Sequence, residues 1–249
     1  MFTSTDLDKL KQIMAESPEN CALITRLLDS HKESVSMITH EIRNPLTMVY
    51  STLQLIESTH PEVHTFKHWN SLHEDILYMI QLLAELSIYN NSSVLHLKSL
   101  NTESFLKQIV LSYAASIADS SIEFTSYIAP DLPYIQGDAT KLKEVTLNLL
   151  KNAFESFPSN IPGTIRLEAD SIKSKADDSR HLRIRIQDTG CGIPPEHLDT
   201  IFEPFITYKS GGTGLGLALS KRIIEAHNGS LQVSSTIGIG TTFTILLPI

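Results

Sequence analysis

Several sets of polar residues have types and spacing that suit chemistry on a phosphate-bearing ligand. His40, Glu41 and Asn44 fall in the string SMITHEIRNPLTM, Ser36 to Met48. At about 100° per residue on a helix, His40 and Asn44 share one outward face, where a neutral imidazole is a nucleophile. Taken alone, such a histidine is a solvated surface residue. Pro45 weighs against that reading, because a proline inside an amphipathic helix costs roughly 3 kcal/mol and loosens the turn just after the histidine. A second set, Glu144, Asn148 and Asn152, recurs at every fourth position beside the apolar stripe Leu142, Val145, Leu149 and Ala153. A polar line of this kind is ordinarily the wet face of a helix. Beside a phosphate chain, however, an amide oxygen is a hard ligand suited to magnesium. A third set is DTGCGIP, Asp188 to Pro194, after an alternating strand. There the Asp188 carboxylate could accept a hydrogen bond from an adenine amino group, with Gly190 and Gly192 leaving room for the ring.

The glycines Gly211, Gly212, Gly214 and Gly216 read as a lid ending at a helix N-terminus, where free backbone N–H groups attract phosphate. No strand precedes them, which excludes a dinucleotide-binding turn. Lys209 lies in the lid and reaches either phosphate or solvent. His60, His64 and His68, with His73 beyond, have the spacing of a metal-binding helix edge. Against a zinc site, the segment starts at Pro61 between two helices and no cysteine completes a set.

These residues need elements to hold them. From Thr5 to about Ile56 the pattern is helical, with an apolar stripe at Val35, Ile38, Ile42, Leu46, Val49, Leu53 and Ile56. After a break at Ser58 to Pro61, Leu72, Ile76, Met79, Leu83 and Leu86 mark a partner helix. Two such helices bury too little alone, so the hairpin is expected to dimerise into a four-helix bundle. From about Val94 the pattern is mixed. Strands are expected at Ile122–Ile128, around Ile165, Leu167 and Ala169, around Leu182, Ile184 and Ile186 with Arg183 and Arg185 facing away, at Leu231–Ser234 and at Thr241–Leu247. Helices at Thr102–Ile117, Asp138–Phe157 and Leu215–His227 separate them, giving an α/β sandwich with helices on one sheet face. Ser171–Arg180 reads as a polar hairpin loop, and Asn90–Ser93 as the hinge. The expected domains are residues 1–33, an N-terminal helical segment; 34–93, the dimerising hairpin; and 94–249, the α/β sandwich.

The string around His40 resembles the phosphoacceptor box H-E-x-x-N-P of sensor histidine kinases. Leu142–Ser156 resembles the asparagine box of the GHKL ATPase fold, shared by histidine kinases and DNA gyrase, and Asp188–Pro194 resembles its first glycine box. Ile201–Gly229 is similar to the phenylalanine box, at Phe202 and Phe205, followed by the second glycine box, at Gly212, Gly214 and Gly216. GIGTTFTILLP resembles the closing strands. The short lid, Ile206 to Gly211, is similar to that of compact-lid kinases of sporulation and nitrogen-regulation type. The likeness runs in order across roughly Ser34 to Pro248.

It implies an α-helical dimerisation and phosphotransfer domain followed by a GHKL α/β sandwich that binds ATP and Mg2+. By this resemblance Asn152 is the metal ligand and Asn148 supports the phosphates. Asp188, Gly190 and Gly192 form the adenine site, and Phe202, Phe205, Lys209, Gly212, Thr213, Gly214, Leu215 and Gly216 complete the nucleotide site. His40 takes the phosphoryl group with Glu41 as general base, and passes it to an aspartate of a response regulator. Asn44 positions water for phosphatase activity. Two rival readings are an adaptor that has lost catalysis, and a GHKL ATPase acting on DNA or client proteins. The intact Asn152, Asp188 and glycines oppose the first; His40 and the charge oppose the second.

Composition sets the outer limits. The chain has 249 residues, 41% of them hydrophobic, and a net charge of −8. That is enough to bury real cores, and no basic run is dense enough to follow a nucleic acid backbone. Neither an apolar leader nor about 18 consecutive apolar residues occurs, so a soluble, cytoplasmic chain without a membrane segment is expected. Cys21 and Cys191 match no disulfide or metal spacing, which agrees with a reducing compartment. Residues 1–33 are too short for a typical ligand-binding input domain.

Overall fold

A computed structural model describes residues 4–92, 94–158, 161–173, 179–209 and 211–249. The chain divides into two compact units, Met1–Asn91 and Ser92–Ile249.

The first unit is helical. Helix α1 spans Ser4–Glu16, α2 spans Pro18–Thr59 and α3 spans Trp69–Asn91. The helical pattern expected from Thr5 comes as two helices. Ser17 interrupts it in an extended conformation, its side chain accepting the Asn20 N–H at 3.1 Å, with Pro18 supplying the fixed φ of a first helical residue. Helix α2 continues unbroken through 33/34, where a boundary was expected, and through Pro45. Polar ties join α2 to α3. Trp69 Nε1 donates to Glu57 Oε1 at 2.9 Å, Arg43 Nη2 to the Leu83 carbonyl at 3.0 Å, and Asn90 Nδ2 to the Lys32 carbonyl at 2.6 Å. Asn90 and Asn91, read as part of a hinge, are instead the last turn of α3, and Asn90 is buried because its amide closes the hairpin; Ser93 lies outside the described residues.

The predicted apolar stripe of α2 splits in two. Leu53 is buried, and Val35, Leu46 and Ile56 are half-buried within the hairpin, whereas Ile38, Ile42 and Val49 stay about half exposed, at 53%, 45% and 45%. Pro61–Thr65 is a tight 3-10 turn and His68 has a positive φ of 71°. His60, His64 and His68 thus share no helix face, and no cluster able to hold a metal occurs among the described residues. None of the described helices is long and apolar enough to cross a membrane.

The second unit is an α/β sandwich. Its strands are β1 (Lys98–Asn101), β2 (Ile122–Ile128), β3 (Tyr134–Gly137), β4 (Gly163–Lys173), β5 (Arg180–Asp188), β6 (Ser230–Thr236) and β7 (Gly240–Pro248). The main sheet runs in the order β2-β4-β5-β7-β6, with β2 parallel to β4 and the other pairs antiparallel. Strand period two sends Ile165, Leu167, Ala169, Leu182, Ile184, Ile186, Phe243, Ile245 and Leu247 to one buried face. Helices α4 (Thr102–Ser116), α5 (Ala139–Phe154) and α6 (Gly216–Ala226) cover that face. Arg183 and Arg185 point the other way, paired with Asp170 and Glu168. The strands outrun the expected loop at Ser171–Arg180, extending through Lys173 and from Arg180; residues 174–178 lie outside the described residues. The β1–β3 ribbon was not expected. Its four-residue strands carry too little alternation to announce themselves.

Asp138 anchors α5. Its Oδ1 accepts the N–H groups of Thr140 and Lys141, and its Oδ2 accepts that of His96 at 2.9 Å. Its own N–H donates to Nε2 of buried His227, which leaves His227 Nδ1 to donate to the Ile223 carbonyl at 2.8 Å. The N-terminus of α5 and the C-terminus of α6 are thereby locked together.

Candidate functional site

Helix α5, the end of β5 and the start of α6 bring most of the predicted site residues of the second unit together. Asp188 ends β5 opposite Ile165 of β4 and Thr241 of β7, and is 3% exposed. Its Oδ1 accepts the Gly190 N–H at 2.9 Å and the Thr241 N–H at 3.3 Å, and lies 3.1 Å from the Ser156 hydroxyl, which also reaches the Ala153 carbonyl. All of these contacts fall on Oδ1. Among the described residues Oδ2 has no donor and is left to a ligand. Burial pushes the Asp188 carboxyl above the usual carboxylate range, against the pull of its hydrogen bonds and of Lys209.

The glycines of this turn are fixed by close approach. A Cβ on Gly190 would come within 1.8 Å of Ser156 Oγ, and one on Gly192, where φ is +73°, within 2.2 Å of the Thr236 carbonyl. Gly240, which sequence reasoning passed over, is as tightly placed, since a Cβ there would meet the Asp188 carbonyl at 1.9 Å. Ser156 and Thr241 were also missed. Nothing in their types or spacing marks them, because they serve Asp188 from the turn after α5 and from β7.

Asn148 Nδ2 donates to Ser220 Oγ at 2.9 Å, and a Cβ on Gly216 would come within 2.7 Å of Asn148 Oδ1. Glycine at 216 thus lets the first turn of α6 lie against α5. Among the described residues no side chain caps α6: Leu215 stands at its N-cap, buried, with its N–H 3.4 Å from Thr213 Oγ1. Uncapped N–H groups at a helix start form an anion site. Gly214 permits the turn before it, with φ of +69° and the Phe205 backbone where a side chain would be. Asn152 lies one turn beyond Asn148 on α5, and its Oδ1 accepts from Lys209 Nζ at 3.3 Å. Gly212 donates its N–H to the Lys209 carbonyl at 3.3 Å, closing the lid on itself.

The two phenylalanines stand just before the lid. Phe202 packs edge-on against Phe243, ring centroids 6.4 Å apart, with Lys221 Nζ 5.4 Å over its face. Phe205 is 53% exposed at a positive φ of 66°, its N–H bound to the Gly214 carbonyl at 3.0 Å. In the first unit, His40, Glu41 and Asn44 are all exposed on α2, whereas Thr39 just before them is buried and Arg43 among them is half-buried.

The donor set fits a magnesium nucleotide. Asp188 Oδ2 offers a buried acceptor for an exocyclic amine, the α6 N-terminus offers the backbone N–H groups of an uncapped first turn, and Asn152 offers an amide oxygen of the kind magnesium takes.

Residues 137–249 match the family of histidine kinase-, DNA gyrase B- and HSP90-like ATPases. The chain is 31% identical to sporulation kinase C of Bacillus subtilis over 252 residues, 99% of this chain and 56% of that protein. It is 33% identical to the sensory histidine kinase/phosphatase NtrB of Rhodobacter capsulatus over 220 residues, 86% of this chain and 61% of that protein. It therefore spans little more than half the length of these relatives. Among solved structures, full-length ShkA in complex with AMPPNP superposes with a TM-score of 0.68 at 26% identity, over 87% of this chain and 45% of that one. Residues 137–249 thus belong to the histidine kinase-, DNA gyrase B- and HSP90-like ATPases, and the chain as a whole, hairpin and sandwich together, is similar to sensor histidine kinases.

Proposed function

We propose that the chain autophosphorylates His40 from ATP and passes the phosphoryl group to an aspartate of a response regulator. The observation that carries this reading is one chain holding both halves of the chemistry: an exposed imidazole flanked by Glu41 and Asn44, and a cradle whose buried carboxylate keeps one oxygen free beside an uncapped helix. Support for the nucleotide comes from ShkA, a relative solved with an ATP analogue.

Adenine is read by Asp188 Oδ2, the turn at Gly190 and Gly192 admits the ring, and the first turn of α6 holds the phosphates with Asn148 beneath it. Asn152 would hold Mg2+, which supplies charge neutralisation at the phosphates when bound. One ring nitrogen of His40 attacks the γ-phosphorus while the bond from that phosphorus to the bridging oxygen breaks and ADP leaves. Glu41 accepts the hydrogen bond from the other ring nitrogen, orients the imidazole and takes up its proton. The new P–N bond is then broken by the carboxylate of the regulator's aspartate.

The half-exposed Ile38, Ile42 and Val49 are the surface a second copy would cover, so we assign a homodimer built as a four-helix bundle. A cytoplasmic location fits a chain whose substrate is ATP.

Labelled ATP tests the reading. Wild type should acquire a label that acid removes and base does not, and His40→Gln should acquire none while still binding ATP. Full labelling of His40→Gln would reject His40 as the acceptor.

A further inference from the structure

Lys209 lies on the oxygen assigned above to the metal. Its Nζ donates to Glu155 Oε2 at 2.9 Å and to Asn152 Oδ1 at 3.3 Å. An ammonium offers only donors, and it approaches that oxygen as a cation would; a dication and an ammonium sharing one amide oxygen repel each other. Glu155 is placed for this by the end of α5. It is the C-cap residue, its N–H turned back to the Lys151 and Ala153 carbonyls, and it stands three positions beyond Asn152, so the two side chains are neighbours. The lid residue next to Lys209 is held from another side. The Tyr208 ring stacks on that of His197, centroids 3.5 Å apart at 10°, and its hydroxyl is 2.8 Å from Thr200 Oγ1. The lid segment is thus pinned at two points, and one pin covers Asn152.

We propose that Glu155 is a positioning residue that parks Lys209 on Asn152 in the nucleotide-free chain, so that the lid lysine and a divalent cation compete for one amide oxygen. The proposal rests on the reading of Asn152 as the metal ligand. Arrival of the metal with its nucleotide and departure of the lysine are then one event, and the released ammonium becomes available to the phosphates. ATP without metal can enter with the lysine still parked, because nothing then competes for Asn152 Oδ1.

Trypsin cuts after lysine, so its cleavage after Lys209 in nucleotide-free protein reads the parking directly. Glu155→Gln should accelerate that cleavage about two- to fivefold, the span an exposed ion pair supports. Glu155→Asp, which keeps the charge on a shorter arm, should restore part of the protection. Displacement of a fluorescent ATP analogue gives the second readout. Glu155→Gln should raise ATP affinity by a similar factor with magnesium present and leave it unchanged in a chelator. A general effect of removing an acidic charge near the nucleotide would raise both affinities together, and that outcome, or unchanged cleavage after Lys209, overturns the proposal. If magnesium fails to strengthen ATP binding in the wild type, the metal role of Asn152 falls and the competition falls with it. Magnesium-dependent binding in the wild type with unchanged cleavage in Glu155→Gln would sink the parking alone.

Discussion

Asp188→Asn separates recognition from stability more cleanly than deletion of the side chain. The amide oxygen can replace Oδ1 and accept from Gly190, Thr241 and Ser156 as the carboxylate does. The flipped orientation would set the amide NH2 against two backbone N–H groups, so the geometry fixes the amide with Nδ2 in the place of Oδ2. There it faces the adenine amino group donor to donor. A hydrogen bond to a charged acceptor contributes about 1.5–3 kcal/mol, and 1.4 kcal/mol is a factor of ten, so ATP affinity should fall roughly tenfold to a hundredfold. Guanine presents an acceptor where adenine presents its amine, so the preference for ATP over GTP should shrink or invert.

Stability should move the other way. Burial raises the Asp188 carboxyl, so its charged form is the disfavoured one in the folded chain. A raised folded value means stability that is full below the ordinary carboxylate range and lost as pH rises through the folded value. Asp188→Asn removes that loss, and its melting temperature near neutral pH should equal or exceed that of wild type, the advantage fading in acid. Thermal melts across pH together with competition against a fluorescent nucleotide measure both. A parallel fall in melting temperature and ATP affinity would make Asp188 a structural residue and refute the reasoning; unchanged ATP affinity would refute the adenine role.

Asp138→Ala should lower stability by about 0.5–2 kcal/mol in chemical denaturation, as loss of an N-cap does, while the His96 N–H also loses its acceptor. Burial pushes the Asp138 carboxyl up, but the N–H groups of His96, Lys141 and Thr140 outweigh it and hold it below the usual range, so the gap to wild type should be full above that range and close as pH falls through the lowered value. Asn44→Ala, one helical turn from His40 and exposed, should leave autophosphorylation within a few-fold yet slow dephosphorylation of a cognate regulator; parallel loss of both rates and of melting temperature would show that Asn44 only supports the helix around Pro45.

Much of this was legible because periodicity reports burial. The stripe Leu142, Val145, Leu149 and Ala153 and the alternation in β4 and β5 are buried as their spacing demands. Asp188 and the glycines were legible because a tight turn at a strand end restricts residue type. What escaped were partners brought in from distant chain: Ser156 and Thr241 around Asp188, Gly240 against its carbonyl, and Glu155 under the lid. Serine, threonine and glutamate are common at solvent-facing positions, so type and spacing do not single them out. The place of the break at Ser17 was not legible from periodicity, because the apolar pattern runs across it; serine followed by proline is the local start signal that marks it.

The hairpin shows why a sequence stripe and a single-chain burial pattern need not agree. Of the seven apolar residues of α2 at steps of three and four, Val35, Leu46, Leu53 and Ile56 are buried or half-buried within the hairpin, and Ile38, Ile42 and Val49 stay about half exposed. Those three are interleaved with His40 and Asn44 along the same helix. A second copy seated on those three residues would therefore fix the rotation of α2 about its axis, and with it the direction in which the imidazole is presented. Dimerisation in this reading is part of the chemistry: it supplies the missing half of the core and holds the nucleophile outward, since a helix buried on two sides has only its polar strip left to expose.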